Sequence, residues 1–203
     1  MNNTIITLGR QFGSGGGAIA KAVGRRLGIK VYDNALISEA AQEIGYSKDL
    51  FAHSGEKKSI FSMSSFFASG RYGTMTDGYA VDSSLFNLQS DVIRSIAENG
   101  DAIIIGRCAD YILRDLNILS VFITAPLDFR VQRITDREQL SEKDAESLIL
   151  KKDRIRETYY NFFTLGTWGK ADNYDLCIDS SILGIEGTAE WIIEFAKKAG
   201  IVA

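Results

Sequence analysis

Apolar positions along this chain alternate between two spacings, short β-branched runs and longer stretches with one helical face, and the alternation repeats from end to end. Thr4-Ile5-Ile6-Thr7-Leu8 is a compact apolar run followed by a glycine-rich turn. From Ala18 to Leu27 the apolar residues Ile19, Ala20, Val23 and Leu27 fall on one helix face, and Gly28 stands where a helix closes. Ile29 to Tyr32 predicts a second strand ending at Asp33, and about Ala35 to Ile44 a helix stopping at Gly45. The helical spacing returns from Leu85 through Leu88, Val92, Ile93 and Ile96 to Asn99-Gly100. Ala102 to Ile105 is apolar at every position, as a strand covered on both faces should be, and Val121 to Ile123 repeats that pattern. Pro126, the only proline, sits where it can open a helix. A charged region from Arg130 to Arg156 and an aromatic one from Tyr159 to Trp168 follow. Tyr174 to Ile178 predicts a fifth strand, and about Ile185 to Ala199 a closing helix. Five strands alternating with helices predict an α/β fold with a parallel sheet and right-handed crossovers.

Residues 54–84 break the pattern. Serine and glycine dominate there, with Phe61, Phe66, Phe67, Tyr72 and Tyr79 scattered among them, and a partly ordered, mobile insertion is expected. The 203-residue chain has no linker-like run and fits one compact domain. A net charge of −3 gives no global pull toward nucleic acid or an anionic membrane, so any phosphate site has to be built locally. Cys108 and Cys177 form no CxxC pair, and cysteines this sparse argue against a disulfide framework; both are expected in the core. The single histidine, His53, excludes HExxH zinc chemistry, and no GxSxG elbow supports a serine triad. With no basic-then-apolar leader pattern and no apolar run of spanning length, a cytoplasmic location is expected.

The candidate chemistry begins at Gly13-Ser14-Gly15-Gly16-Gly17, between the first strand and the first helix. Glycines let successive backbone N–H groups turn inward and form an anion cradle at the positive end of a helix, beyond the carboxyl ends of the strands. An ordinary flexible turn is the duller alternative. The full phosphate-loop pattern GxxxxGK[ST] adds a lysine for the terminal phosphates and a hydroxyl for magnesium. With Gly15 as its second glycine, the first falls at Arg10, the lysine at Gly16 and the hydroxyl at Gly17. Arg10 is the preferred replacement cation and Ser14 a weaker candidate for a phosphate or magnesium contact.

Several blocks of the chain, in order, resemble the cytidylate kinase-like family of nucleoside monophosphate kinases. They are Ile6 to Gly16, Tyr32-Asp33-Asn34-Ala35-Leu36-Ile37, Ile105-Gly106-Arg107-Cys108-Ala109-Asp110, Lys152-Asp153-Arg154-Ile155-Arg156, Tyr159-Tyr160-Asn161, Trp168 and Ile178-Asp179-Ser180-Ser181. The resemblance implies a three-layer P-loop fold with a five-stranded parallel sheet, an acceptor-binding insertion (about 46–84) and a helical lid (about 134–168), all within 1–203. It implies transfer of the γ-phosphoryl of ATP, with Mg2+, to CMP or dCMP, and small nucleotides rather than nucleic acid or membrane as partners. The chain departs from true cytidylate kinases in lacking the loop lysine and in carrying Ile105 where they have a carboxylate.

Phosphoryl transfer needs in-line positioning and cancellation of charge more than covalent help, and arginine's planar fork suits both. Arg130, Arg133 and Arg137 fall on one helix face, and Arg154 and Arg156 form a second group. Arg10, Arg133, Asp153 and Arg156 are the candidate catalytic residues. Gly13 to Gly17 and Arg154 are candidates for holding ATP, and Asp33, Arg107 and Asp110 for holding the acceptor. Each has a plainer reading: Asp33 as a helix cap, Asp153 as a salt-bridge partner of Arg156, the arginines as a solvated face laced with ion pairs, and Tyr159, Tyr160 and Trp168 as packing. No metal ligand is assigned, although Asp110 can in principle replace the missing hydroxyl. The first reading is a cytidylate-like kinase, or a kinase of another small metabolite. The second is a non-catalytic nucleotide sensor that keeps the cradle without Lys or Ser/Thr. A third is an interaction module built on the same fold.

Overall fold

The structure is a computed structural model and describes residues 3–43 and 76–202. His53 and the expected insertion up to residue 75 lie outside the described residues. Strand β1 (Ile5–Arg10) runs into helix α1 (Gly16–Leu27), followed by β2 (Lys30–Tyr32) and α2 (Asn34–Glu43). Then come α3 (Thr76–Asn99), β3 (Ala102–Ile105), the short α4 (Ala109–Ile112), β4 (Leu119–Thr124), α5 (Leu127–Glu138) and α6 (Glu142–Thr164). A 3-10 turn at Ala171–Asn173 leads into β5 (Leu176–Asp179) and α7 (Ser180–Lys198).

The five strands form one parallel sheet in the order β2-β3-β1-β4-β5. Strand β1 is central, with Ile6 opposite Ile103 on one side and opposite Leu119 on the other. Its side chains alternate between the faces, as a pleated strand requires. Ile6 and Leu8 pack with Ile19, Val23, Ala189 and Ile192 from α1 and α7. Ile5 packs with Ile37, Val92, Ile93 and Ile112 from α2, α3 and α4. The parallel sheet is the one that the strand–helix alternation predicts, and its three layers are those that the family resemblance implies. A third cluster, Ile134, Ala145 and Ile149 with Phe12 against it, joins α5 to α6 and anchors that pair beside the turn after β1.

Three expectations change. Helix α3 begins at Thr76, nine residues before the periodicity resumes at Leu85, because a serine- and glycine-rich stretch hides a helical start from a reading based on apolar spacing. Helix α7 includes Ser180 to Leu183, separated from the expected start at Ile185 by a kink at Gly184 (φ 66°, ψ −170°). Cys108 is buried, but Cys177 is exposed, since β5 lies at the sheet edge. Among the described residues no helix is long and apolar enough to cross a membrane.

Candidate functional site

The carboxyl end of β1 and the amino end of α1 are joined by a turn whose path depends on glycine. Gly13 (φ 85°) and Gly15 (φ 82°) take left-handed conformations that disfavour any side chain. The first N–H groups of an α-helix have no carbonyl partner within it, and here they are presented by Gly16 and Gly17. The turn is pinned from several sides. Gln11 N–H donates to Ile123 O (3.0 Å), extending the β1–β4 pairing by one residue. The Gln11 Oε1 accepts from Thr124 Oγ1 (2.5 Å) and from Ala125 N–H (3.1 Å). Ser180 Oγ donates to Ser14 O (2.5 Å).

Over this turn opens a cavity of about 760 Å³, within the range common for small-molecule sites. Gly13, Gly15, Gly16 and Gly17 form one wall, and Arg10, Arg133, Arg137 and Arg156 contribute four guanidinium groups. Asp136 is the carboxylate among the lining residues. A protein of net charge −3 thus gathers four arginines at one place, beside the glycine turn.

The four arginines reach the cavity from three elements, β1, α5 and α6. Arg133, on α5, lies against the loop itself: a Cβ on Gly15 would overlap its Nη1 and come within 3.2 Å of its Cζ. Its guanidinium also sits over Phe129, 5.2 Å from the ring centre. Arg156, on α6, donates from Nη1 to Arg10 O (3.1 Å). Arg137 and Arg156 both lie over the Phe12 ring, 5.3 and 5.5 Å from its centre. Arg10 leaves the last position of β1 and runs beside Gly16, and a Cβ on Gly106 would overlap its Nη1.

The other predicted residues divide by location. Arg107 follows β3 in a left-handed conformation (φ 58°), donates from Nη2 to Asn34 Oδ1, and lies 5.7 Å from the centre of the Tyr159 ring. Tyr159 in turn donates to Gln89 Oε1 (3.2 Å), so α2, α3, α6 and the turn after β3 meet at Arg107. Asp33 caps α2, its Oδ1 accepting from Ala35 N–H (3.0 Å) and Leu36 N–H (3.2 Å).

Four placements depart from the sequence expectation. Ser14 is fully buried and its hydroxyl donates to Gln11 O (2.9 Å), so it braces the turn and does not face the cavity. Arg154 is exposed and outside the cavity lining, because two residues along a helix turn about 200° away from Arg156. Asp153 is bound by Arg130 Nη1 (2.5 Å) and by Phe12 N–H (2.7 Å), with both side chains largely buried. Its carboxylate clamps the loop from behind, outside the cavity. Asp110 accepts from Tyr160 Oη (2.7 Å) beneath the turn that carries Arg107, and it too is outside the cavity lining. Trp168 packs edge-on against Phe122 (5.3 Å). Phe12, Gln11 and Asn34, inside the recognised blocks, had no separate signal of their own, since an aromatic or an amide next to glycines reads as ordinary turn composition.

Burial pushes the Asp110 carboxyl above its ordinary value, against the lowering effect of the Tyr160 hydrogen bond. A raised folded value means that the fold favours the protonated acid. The associated stability is complete below the unfolded value near 3.8 and is lost as pH rises through the folded one. Asp110→Asn keeps an acceptor for Tyr160 without the buried charge. We expect its melting temperature to exceed that of the unsubstituted protein by a few degrees at neutral pH, about 2–4 °C per kcal/mol recovered. The gap should close as the buffer is acidified, and a gap of constant size would remove Asp110 ionisation as its cause.

Comparison with known proteins bears on this geometry directly. The family model "Cytidylate kinase-like family" matches residues 5–182, which include the glycine turn, the Arg107 turn and all four cavity arginines. The chain belongs to the cytidylate kinase-like family. It is thereby a kinase-type phosphotransferase. It is 25% identical over 189 residues to the cytidylate kinase of Methanopyrus kandleri, covering 88% of this chain and 86% of that one. A shorter match to the cytidylate kinase of Sulfolobus acidocaldarius, 27% over 118 residues, covers 58% of this chain and 63% of the relative. Among solved structures, an uncharacterized protein from Eubacterium ventriosum is similar at a TM-score of 0.73 and 28% identity, covering 95% of this chain and 98% of that one. Shikimate kinase from Bacteroides thetaiotaomicron shares the P-loop kinase fold at a TM-score of 0.53 and 13% identity, covering 96% and 98%.

Proposed function

We propose that the protein transfers the γ-phosphoryl group of ATP to a nucleoside monophosphate, with CMP or dCMP as acceptor. The observation that carries this reading is the cavity in which four arginines converge over the glycine turn, with the Arg107 turn directly beyond Arg10. The backbone amides of Gly13 to Gly17 hold the donor's phosphates at the head of α1, where helix dipole and N–H groups act together. Arg133 and Arg156 approach from the two helices beside the loop and neutralise charge on the moving phosphoryl group. Their forks bind equatorial oxygens in pairs, which is the arrangement a loose transition state rewards. Arg107 and Asn34 lie at the acceptor end and supply a cation and an amide for the acceptor's phosphate. Asp33, already a helix cap, contributes there chiefly by fixing where Asn34 stands.

Magnesium accompanies ATP in this reading. Among the described residues no group of three or more His, Cys, Asp or Glu side chains is arranged to hold a metal ion, and Gly17 has no hydroxyl. The steps above are therefore assigned to arginines and backbone amides, and no residue is named for the metal.

The test is ADP release measured across a panel of nucleoside monophosphates and small metabolite alcohols, with and without magnesium. Release that depends on CMP or dCMP is the expected result. Release with a different acceptor would reassign the substrate, and tight ATP binding without turnover on any acceptor would favour the nucleotide-sensor reading that Gly16 and Gly17 suggest.

A further inference from the structure

The standard phosphate loop places glycine at its first position and lysine at its seventh, and this chain holds the opposite pair, Arg10 and Gly16. The structure gives a reason why the two positions change together. A Cβ on Gly16 would stand 2.7 Å from Arg10 Cβ and 2.9 Å from Arg10 Cγ. These are the atoms of Arg10 nearest the backbone, at the end of a strand whose register with β4 pairs Arg10 with Ile123. Turning the outer part of the side chain cannot relieve a contact made at Cβ. The strand end and the head of the helix are therefore so close that only one of them can carry a side chain.

We propose that the cation of this loop has been exchanged across that contact: Arg10 projects from the strand through the space that the stem of a lysine at position 16 would take, and Gly16 is glycine to admit it. The proposal rests on reading the cavity as the ATP site. It adds that Arg10 performs the lysine's role from the opposite wall. The seat has a third part. The Arg10 Nη1 would overlap a Cβ on Gly106, and Gly106 directly precedes Arg107. An arginine entering from β1 therefore places its charge between the donor loop and the acceptor turn, and reaches oxygens on both sides with one planar fork. The absence of a lysine at position 16 thus does not leave the loop without a cation.

Two double-mutant cycles on the full chain test this. The first is steric and is read by thermal denaturation without nucleotide: Arg10→Gly, Gly16→Ala and the pair. We expect Gly16→Ala to lower the melting temperature by several degrees in the Arg10 background and to be neutral or stabilising beside Arg10→Gly. Alanine is the better helix former once the contact is gone. Equal shifts in both backgrounds would overturn the exclusion. The second cycle is read by equilibrium ATP binding: Arg10→Gly, and Arg10→Gly combined with Gly16→Lys, which restores the glycine-first, lysine-seventh order. Arg10→Gly should weaken ATP binding at least tenfold, and the double variant should recover most of that loss. A folded double variant that binds ATP no better than Arg10→Gly would overturn the exchange. So would an Arg10→Gly variant that binds like the unsubstituted protein. Neither cycle requires turnover, so a failed search for an acceptor leaves both readable.

Discussion

Arg133→Ala is expected to lower kcat by about 10²–10³-fold while the melting temperature changes little. The guanidinium lies against Gly15 at the centre of the loop, is partly exposed to the cavity, and is steadied by the face of Phe129. Its removal takes away a charge facing the cavity proposed for phosphoryl transfer and leaves no buried partner stranded. The position on α5 is set by the apolar side of that helix, where Ile134 is fully buried between α5 and α6. The helix should therefore stay in place when the arginine is cut back. Arg133→Lys should recover only part of the rate, because an ammonium keeps the charge and loses the fork. Steady-state kinetics beside thermal denaturation decide the matter. An unchanged kcat would take Arg133 out of the chemistry and leave it as a wall of the cavity.

The second large effect concerns stability. Asp153→Ala should cost about 3–5 kcal/mol of folding free energy, because it leaves Arg130 charged and without its partner in a largely buried position. For a chain of this size that corresponds to a fall in melting temperature of roughly 6–20 °C. The loss has two parts: the Arg130 ion pair and the Phe12 N–H, which donates to the same carboxylate. Arg130 Nη1 also donates to Phe12 O (3.2 Å), so both polar groups of Phe12's backbone are held by one ion pair. Replacing both charges together, with Arg130→Met and Asp153→Leu, should recover much of the stability, since a buried ion pair is often no better than apolar packing of similar volume. The outcome also separates two roles for Asp153. A large fall in melting temperature marks a clamp on the loop, and an unchanged melting temperature with impaired acceptor use marks the substrate contact that the sequence suggests.

The sequence shows best what depends on local periodicity or local composition. The strand–loop–helix unit at the amino end is visible because Ile6 and Leu8 alternate with Ile5 and Thr7, and because four glycines stand in five positions where the chain reverses. Arg133 is identifiable from the spacing that places Arg130 and Arg137 on the same face. Spacing does not distinguish the fates of those three. Arg130 is turned inward by the carboxylate of Asp153, twenty-three residues further on, while Arg133 meets the loop and Arg137 the Phe12 ring. Arg154 and Arg156 look equivalent as a charged pair and differ only once α6 has a direction. Cys177 reads as core because its strand is apolar, and it is exposed because strand order, which no local pattern encodes, puts β5 at the edge. Ser14 looks like a ligand residue by its position in the loop, and its hydroxyl is instead committed to Gln11 O.

Phe12 gives the site a property that its charges alone would not have. Four guanidinium groups around one hollow repel one another, and an ion pair with Glu138 (2.9 Å) offsets the charge of Arg137. An aromatic face is electron-rich, and two of the four, Arg137 and Arg156, rest on the same ring. That ring belongs to the turn itself and is held by the Arg130–Asp153 pair beneath it. Part of the electrostatic work of gathering cations is thereby done in advance, so the polyphosphate proposed to bind here would meet a receptor already shaped to its charge and be spared much of the cost of assembling it.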